Sequence, residues 1–212
     1  LVHPTRIEPL LDALKRAAQS MFGQRGSMTN AIDESQQKRW EDLVNSAIHE
    51  GARATPLVEP GIHPVTPTAL TDIPHQSQVL QEEIFGPILP IIGVQSHREA
   101  IAYVQGHERP LALYWFGKEK AALQEILEKT HAGGVTVNDT LLHVAIENLP
   151  FGGIGASGMG AYHGKTGFDT FSHIKPVLEV KGFLGIRRLA GTRLAHPPYG
   201  KTIEKLIRRL GK

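Results

Sequence analysis

The sequence predicts an α/β protein, on three observations. Between Ile88 and Asn138, three short apolar runs alternate with two helical segments. Two amphipathic helices precede them. A glycine-rich segment follows the third run, where a sheet of this class carries its loops.

The elements follow in order. Ile7, Leu10, Leu11, Leu14, Ala18 and Met21 recur at three- and four-residue steps, which predicts a helix over 7–22. Gly23 and Gly26 end it. Trp40, Leu43, Val44, Ala47 and Ile48 form one face of a second helix over 34–50, stopped by Gly51. Prolines at 56, 60, 64 and 67 predict an extended, looping passage. The run 88-ILPIIGV-94 has strand length. Ser96 and Glu99 frame a capping box, which opens a helix to about Gly106 before Pro110 breaks the pattern. A second strand is predicted at 111-LALYWFG-117, a helix over 118–132 closed by Gly133 and Gly134, and a third strand at 135-VTVN-138. Strands that are apolar throughout, joined by helical crossovers, predict a parallel sheet covered on both faces. Residues 168–180 read as an extended arm. Residues 201–212 read as a helix with Ile203, Leu206, Ile207 and Leu210 on one face and basic residues opposite.

The glycine segment 151-FGGIGASGMG-160 contains a match to G-x-G-x-x-G, from Gly153 to Gly158. A dinucleotide-binding turn needs a strand before it, a helix after it, and an acidic residue about 20 positions on. The preceding 147-ENLPF-151 is not a strand, and 159–171 holds three more glycines with no apolar helical spacing. Asp169 is too close, and Glu179 lies in a strand-like segment. The expectation is therefore a loop whose glycines let backbone pass close to backbone.

The chain has 212 residues, 41% hydrophobic and 21% charged, as in a soluble globular protein of one domain or one and a half. No apolar run reaches the ~18 residues of a membrane span. With zero cysteines there is no disulfide, cysteine metal site or thiol nucleophile in these residues. No signal peptide is expected at the N-terminus, and a cytoplasmic protein fits. Because the chain opens on Leu1 and its first methionine is Met21, a fragment, a processed product or a trimmed sequence is expected. Residues 181–212 carry nine Lys/Arg against Glu204, a +8 tail on a −6 body. The expectation is a solvated tail that docks on its own acidic body, with no nucleic-acid partner; contact with an anionic membrane is the alternative. The 11 histidines show no H-x-x-x-H pair, so no metal site is expected.

Two segments, 81-QEEIFGPILPI-91 and 148-NLPFGGIGASGMGAYHGKTGFDTFSHIKP-176, resemble the C-terminal half of the aldehyde dehydrogenase superfamily. Gly-Met-Gly-Ala-Tyr-His-Gly-Lys and Phe-Asp-Thr-Phe-Ser-His resemble its class 3 branch, which oxidises fatty and aromatic aldehydes. The ending, with 196-HPPYG-200, is similar to that of the bacterial coniferyl aldehyde dehydrogenases. The resemblance implies that residues 1–167 are a portion of the catalytic domain, 168–180 an arm that pairs subunits of a homodimer, and 181–212 a basic tail. It implies NAD or NADP as cofactor and an aldehyde as substrate. In that family a cysteine thiolate attacks the carbonyl, hydride leaves to the cofactor, and water activated by a glutamate releases the acid. The family's nucleophile, base and cofactor domain lie upstream of the segments matched here, so no catalytic residue is expected in this chain and it is expected to be inactive alone. A non-catalytic assembly module is the alternative.

The resemblance further implies that Glu83 hydrogen-bonds the nicotinamide ribose and that Phe85 packs near the nicotinamide; otherwise these are a surface carboxylate and a core aromatic. It implies that Phe151, Leu141 and Val144 line the aldehyde tunnel, with plain core as the other reading. His163 resembles a tunnel-mouth histidine, or is structural. Asn138 caps the loop or orders the site.

Overall fold

The computed structural model describes residues 1–179, 197 and 200–210. They divide into two units, Leu1–Thr170 and Phe171–Lys212.

The first unit is built around β2 (Thr68–Thr71), every residue of which is buried. It pairs antiparallel with β1 (Arg53–Pro56) and parallel with β3 (Ile88–Pro90). Successive side chains of a strand point to opposite faces, and β2 uses both. Leu70 joins Trp40, Leu43 and Ala47 of α2 (Glu34–His49), together with Val65, Val79 and Ile88. Ala69 packs with Leu11 of α1 (Ile7–Phe22) and with Ile91. The small sheet thus lies between α1 and α2. Asp33 opens α2, its carboxylate accepting from the Gln36 amide at 2.8 Å. His63 secures the end of α1, its Nε2 donating to the Phe22 carbonyl at 2.6 Å.

The proline-rich passage is looped over 57–67, as expected, and short strands flank it, β1 ending on Pro56 and β2 opening after Pro67. Here the structure corrects one expectation: the three anticipated strands do not form one sheet. β3 pairs with β2, while β4 (Ala112–Trp115) and β5 (Gly134–Val137) form a separate parallel pair. Backbone beyond β3 is instead bonded to the N-terminus: Val2 N–H donates to Ile92 O, and Val94 N–H to Val2 O, both at 2.9 Å.

Between β3 and β4 runs α3 (His97–Gln105), and between β4 and β5 runs α4 (Lys120–Lys129). Ser96 Oγ accepts from Glu99 N–H at 3.2 Å. The return bond of the capping box lands one residue early, on Gln95 N–H at 2.7 Å. Beyond β5 come α5 (Leu142–Ala145) and α6 (Gly164–Thr170). The latter takes in only the first three residues of the expected arm: residues 168–170 end a helix, supported by a Lys165–Asp169 ion pair and by Thr170 Oγ1 donating to Thr166 O at 2.8 Å.

In the second unit, 173–179 have no regular structure and α7 (Lys201–Leu210) is helical. Ile203 is half-buried and Ile207 exposed on α7. Val180 and most of 181–200 lie outside the described residues. Among the described residues, no helix is long and apolar enough to cross a membrane.

Candidate functional site

Residues 82–87 form irregular backbone leading into β3. The helix α2 supports it. Arg39 Nη1 donates to Ile84 O at 2.8 Å, Nη2 to Glu83 O at 2.6 Å and to Glu82 Oε2 at 2.7 Å. Trp40 Nε1 also donates to Ile84 O, at 2.9 Å. Gly86 lies against the Trp40 indole so closely that a methyl there would overlap the ring. The hydrogen bond from Arg39 and, second, the one from Gln78 hold the Glu82 carboxyl below the usual glutamate range. Glu83 is exposed, and its carboxylate makes no hydrogen bond among the described residues. It borders a cavity of about 550 Å³ with Phe85, Thr29, Asn30, Gln36 and Trp40. Phe85 is 75% exposed among the described residues, and its φ is 47°.

The second group gathers around Phe151. Its backbone exchanges two 2.9 Å hydrogen bonds with Tyr162, closing the glycine segment into a loop. The Phe151 ring stacks on His163 with centroids 5.8 Å apart and meets Tyr162 edge-on at 5.5 Å. His143 tilts against it at 6.2 Å. The glycines serve close approach, as expected. A methyl at Gly152 would strike Gly160 O, and one at Gly153 would strike Ser157 O. No helix starts directly after the G-x-G-x-x-G match; Gly155 and Gly158 form a tight turn, with Gly158 N–H on Gly155 O at 3.2 Å.

Leu141 is 66% exposed, with a φ of 62°, at the N-terminus of α5. Val144, on α5, is half-buried. His163 is half-buried with a φ of 80°, and its Nδ1 is buried without a hydrogen-bond partner among the described residues. Asn138 follows β5 with a φ of 58°; its Oδ1 accepts from Gly117 N–H at 2.8 Å, so it ties the segments after β4 and β5 together. None of Leu141, Val144, Phe151 or His163 borders the cavity that holds Glu83 and Phe85.

Sequence reasoning missed three residues here. His143 is 6% exposed and shares a 2.7 Å hydrogen bond between its Nδ1 and Thr136 Oγ1. A lone histidine in a loop gives no sign of that burial. Arg39 reads as a solvated charge on a helix, and Trp40 as plain core. Among the described residues, no group of three or more His, Asp or Glu is placed to hold a metal ion.

Comparison with known proteins places this geometry. The model of the aldehyde dehydrogenase family matches residues 1–177. A Pseudomonas aeruginosa protein described as "Probable coniferyl aldehyde dehydrogenase" is 42% identical over 214 residues, covering 99% of this chain and 44% of the relative. Aldehyde dehydrogenase family 3 member A2 of Rattus norvegicus is 48% identical over 134 residues, covering 63% of this chain and 27% of the relative. Among solved structures, the substrate-bound state of Staphylococcus aureus AldH superimposes with a TM-score of 0.74 at 35% identity, covering all of this chain and 45% of that one. The chain therefore belongs to the aldehyde dehydrogenase family. It spans about half the length of the curated relatives it matches, or less.

Proposed function

We propose that the protein oxidises aromatic aldehydes of the coniferyl type, or fatty aldehydes, to carboxylic acids with NAD or NADP. The carrying observation is the Glu83 carboxylate, uncommitted at the edge of a cavity while its neighbour Glu82 is fully engaged. An ionised carboxylate accepts from both hydroxyls of a diol, so Glu83 fits the ribose of a nicotinamide cofactor. Phe85 offers an exposed ring beside it. The bound cofactor supplies the hydride acceptor. On the aldehyde side, Phe151 and Val144 supply apolar wall, Leu141 an apolar rim, and His163 a half-buried ring stacked on Phe151.

The thiolate that such an oxidation needs is not among these 212 residues, which contain no cysteine. The chain supplies binding surface only. Its exposed Phe171, Ile174, Val177 and Leu178 suit pairing in a homodimer. The test is NADH production from coniferyl aldehyde, by this chain alone and by the native gene product from its source cells. Turnover by the native product and none by the chain is expected. A normal enzymatic rate from the chain alone would refute the assignment.

A further inference from the structure

We infer that Arg39 is a positioning residue, which with Trp40 fixes the backbone that aims the Glu83 carboxylate and so sets affinity for the cofactor. The inference rests on the reading of Glu83 above and extends it to the helix behind.

Residues 83–85 lie in neither helix nor strand, so their carbonyls have no ladder partner. The guanidinium takes that place. It engages two successive carbonyls, Glu83 O and Ile84 O, and anchors on Glu82 through Nη2 at 2.7 Å and Nε at 3.2 Å. Gln78 Nε2 donates to the other Glu82 oxygen, Oε1. Trp40 adds a second donor to Ile84 O and a flat surface under Gly86. The two adjacent glutamates thus have opposite duties. Glu82 is consumed in holding the turn, and Glu83, fixed at its own carbonyl, keeps its side chain for the ligand. A lysine retains the charge but not the planar fork, and cannot reach two carbonyls and a carboxylate together.

The experiment uses the native gene product with Arg39→Lys, Arg39→Met, Glu82→Gln and Glu83→Gln. Dissociation constants for NADH, or for NADPH where the parent prefers it, are measured beside kcat and the aldehyde KM. Trp40 emission and its quenching by acrylamide are read in a background where every other tryptophan, Trp115 included, is replaced by phenylalanine. Expected are a roughly tenfold weaker NADH affinity for Arg39→Met, a smaller loss for Arg39→Lys and Glu82→Gln, and kcat and aldehyde KM within about twofold of the parent. Trp40 should become more accessible in the same order. Unchanged Trp40 accessibility would show that Arg39 does not hold the turn and would overturn the proposal. So would a loosened turn with unaltered NADH affinity, or equal losses in every parameter, which mark a merely structural role. If Glu83→Gln also binds the reduced cofactor normally, or the parent binds neither NADH nor NADPH, the ribose reading itself fails and the positioning role falls with it, whatever Trp40 shows.

Discussion

Among the described residues, five besides glycine hold left-handed backbone: Asp72, Phe85, Asn138, Leu141 and His163. Three of them are candidate site residues, and Asn138 starts the loop that leads to two of those. Such backbone costs an L-residue about 1–2 kcal/mol, and it accumulates where function over-determines conformation. Leu141, largely exposed, recovers little of that cost by burial. Leu141→Gly is therefore expected to raise the unfolding free energy by about 1 kcal/mol in urea titration; no gain would mean the position is unstrained. Asn138 differs, because asparagine tolerates this conformation and its amide bonds Gly117. Asn138→Ala should lower stability by about 1–3 kcal/mol in the same titration. None of this strain was legible beforehand. Leucine and phenylalanine give no sequence sign of left-handed backbone, so Leu141 and Phe85 could be singled out only through motif neighbours.

At the scale of elements, periodicity revealed α1 to α4 and the strands β3 to β5, because each is long enough to repeat its pattern or is bounded by caps. It missed β2, whose four residues are buried on both faces and so show no alternation. It missed α6, whose Gly-Lys-Thr-Gly-Phe-Asp-Thr lacks an apolar stripe. The capping box was legible as a motif, and Ser96→Ala should lower stability by about 1 kcal/mol in thermal or urea unfolding. The tie between α3 and α4 was not legible, since its members are 28 residues apart. Lys129 and His97 first, then Arg98, pull the Glu125 carboxyl from 4.5 down to about 2. A carboxyl depressed in the folded state stabilises the fold above its ordinary value and loses that contribution as pH falls. Stability should therefore decline between about pH 4.5 and 2 in part through Glu125. Glu125→Gln should flatten that limb in pH-dependent unfolding, and an unchanged limb would assign it to other groups.

At the scale of the whole chain, 171–179 belong to a unit separate from Leu1–Thr170. Their backbone has no ladder or helix, and Phe171, Ile174, Val177 and Leu178 are each more than three-quarters exposed. Chymotrypsin at low ratio is expected to cut first at Phe171 or Leu178, leaving a resistant fragment that ends near Thr170; early cuts within α1 or α2 would contradict the division into units. Sequence patterning identified the α/β class but not the way β3 and β4 separate, because patterning reports which face is apolar and not which strand lies beside which. One contact has a consequence for how the molecule assembles. Arg39 lies 43 to 45 residues from the groups it grips. Contacts of that separation form only after the chain between them has been closed up by other interactions. The intervening chain is β1, β2 and the core around Leu70, so the turn carrying Glu83 is expected to take shape late, once α2 has docked. Any ligand that binds there would favour finished molecules over half-formed ones, and its supply would then help set how much folded protein accumulates.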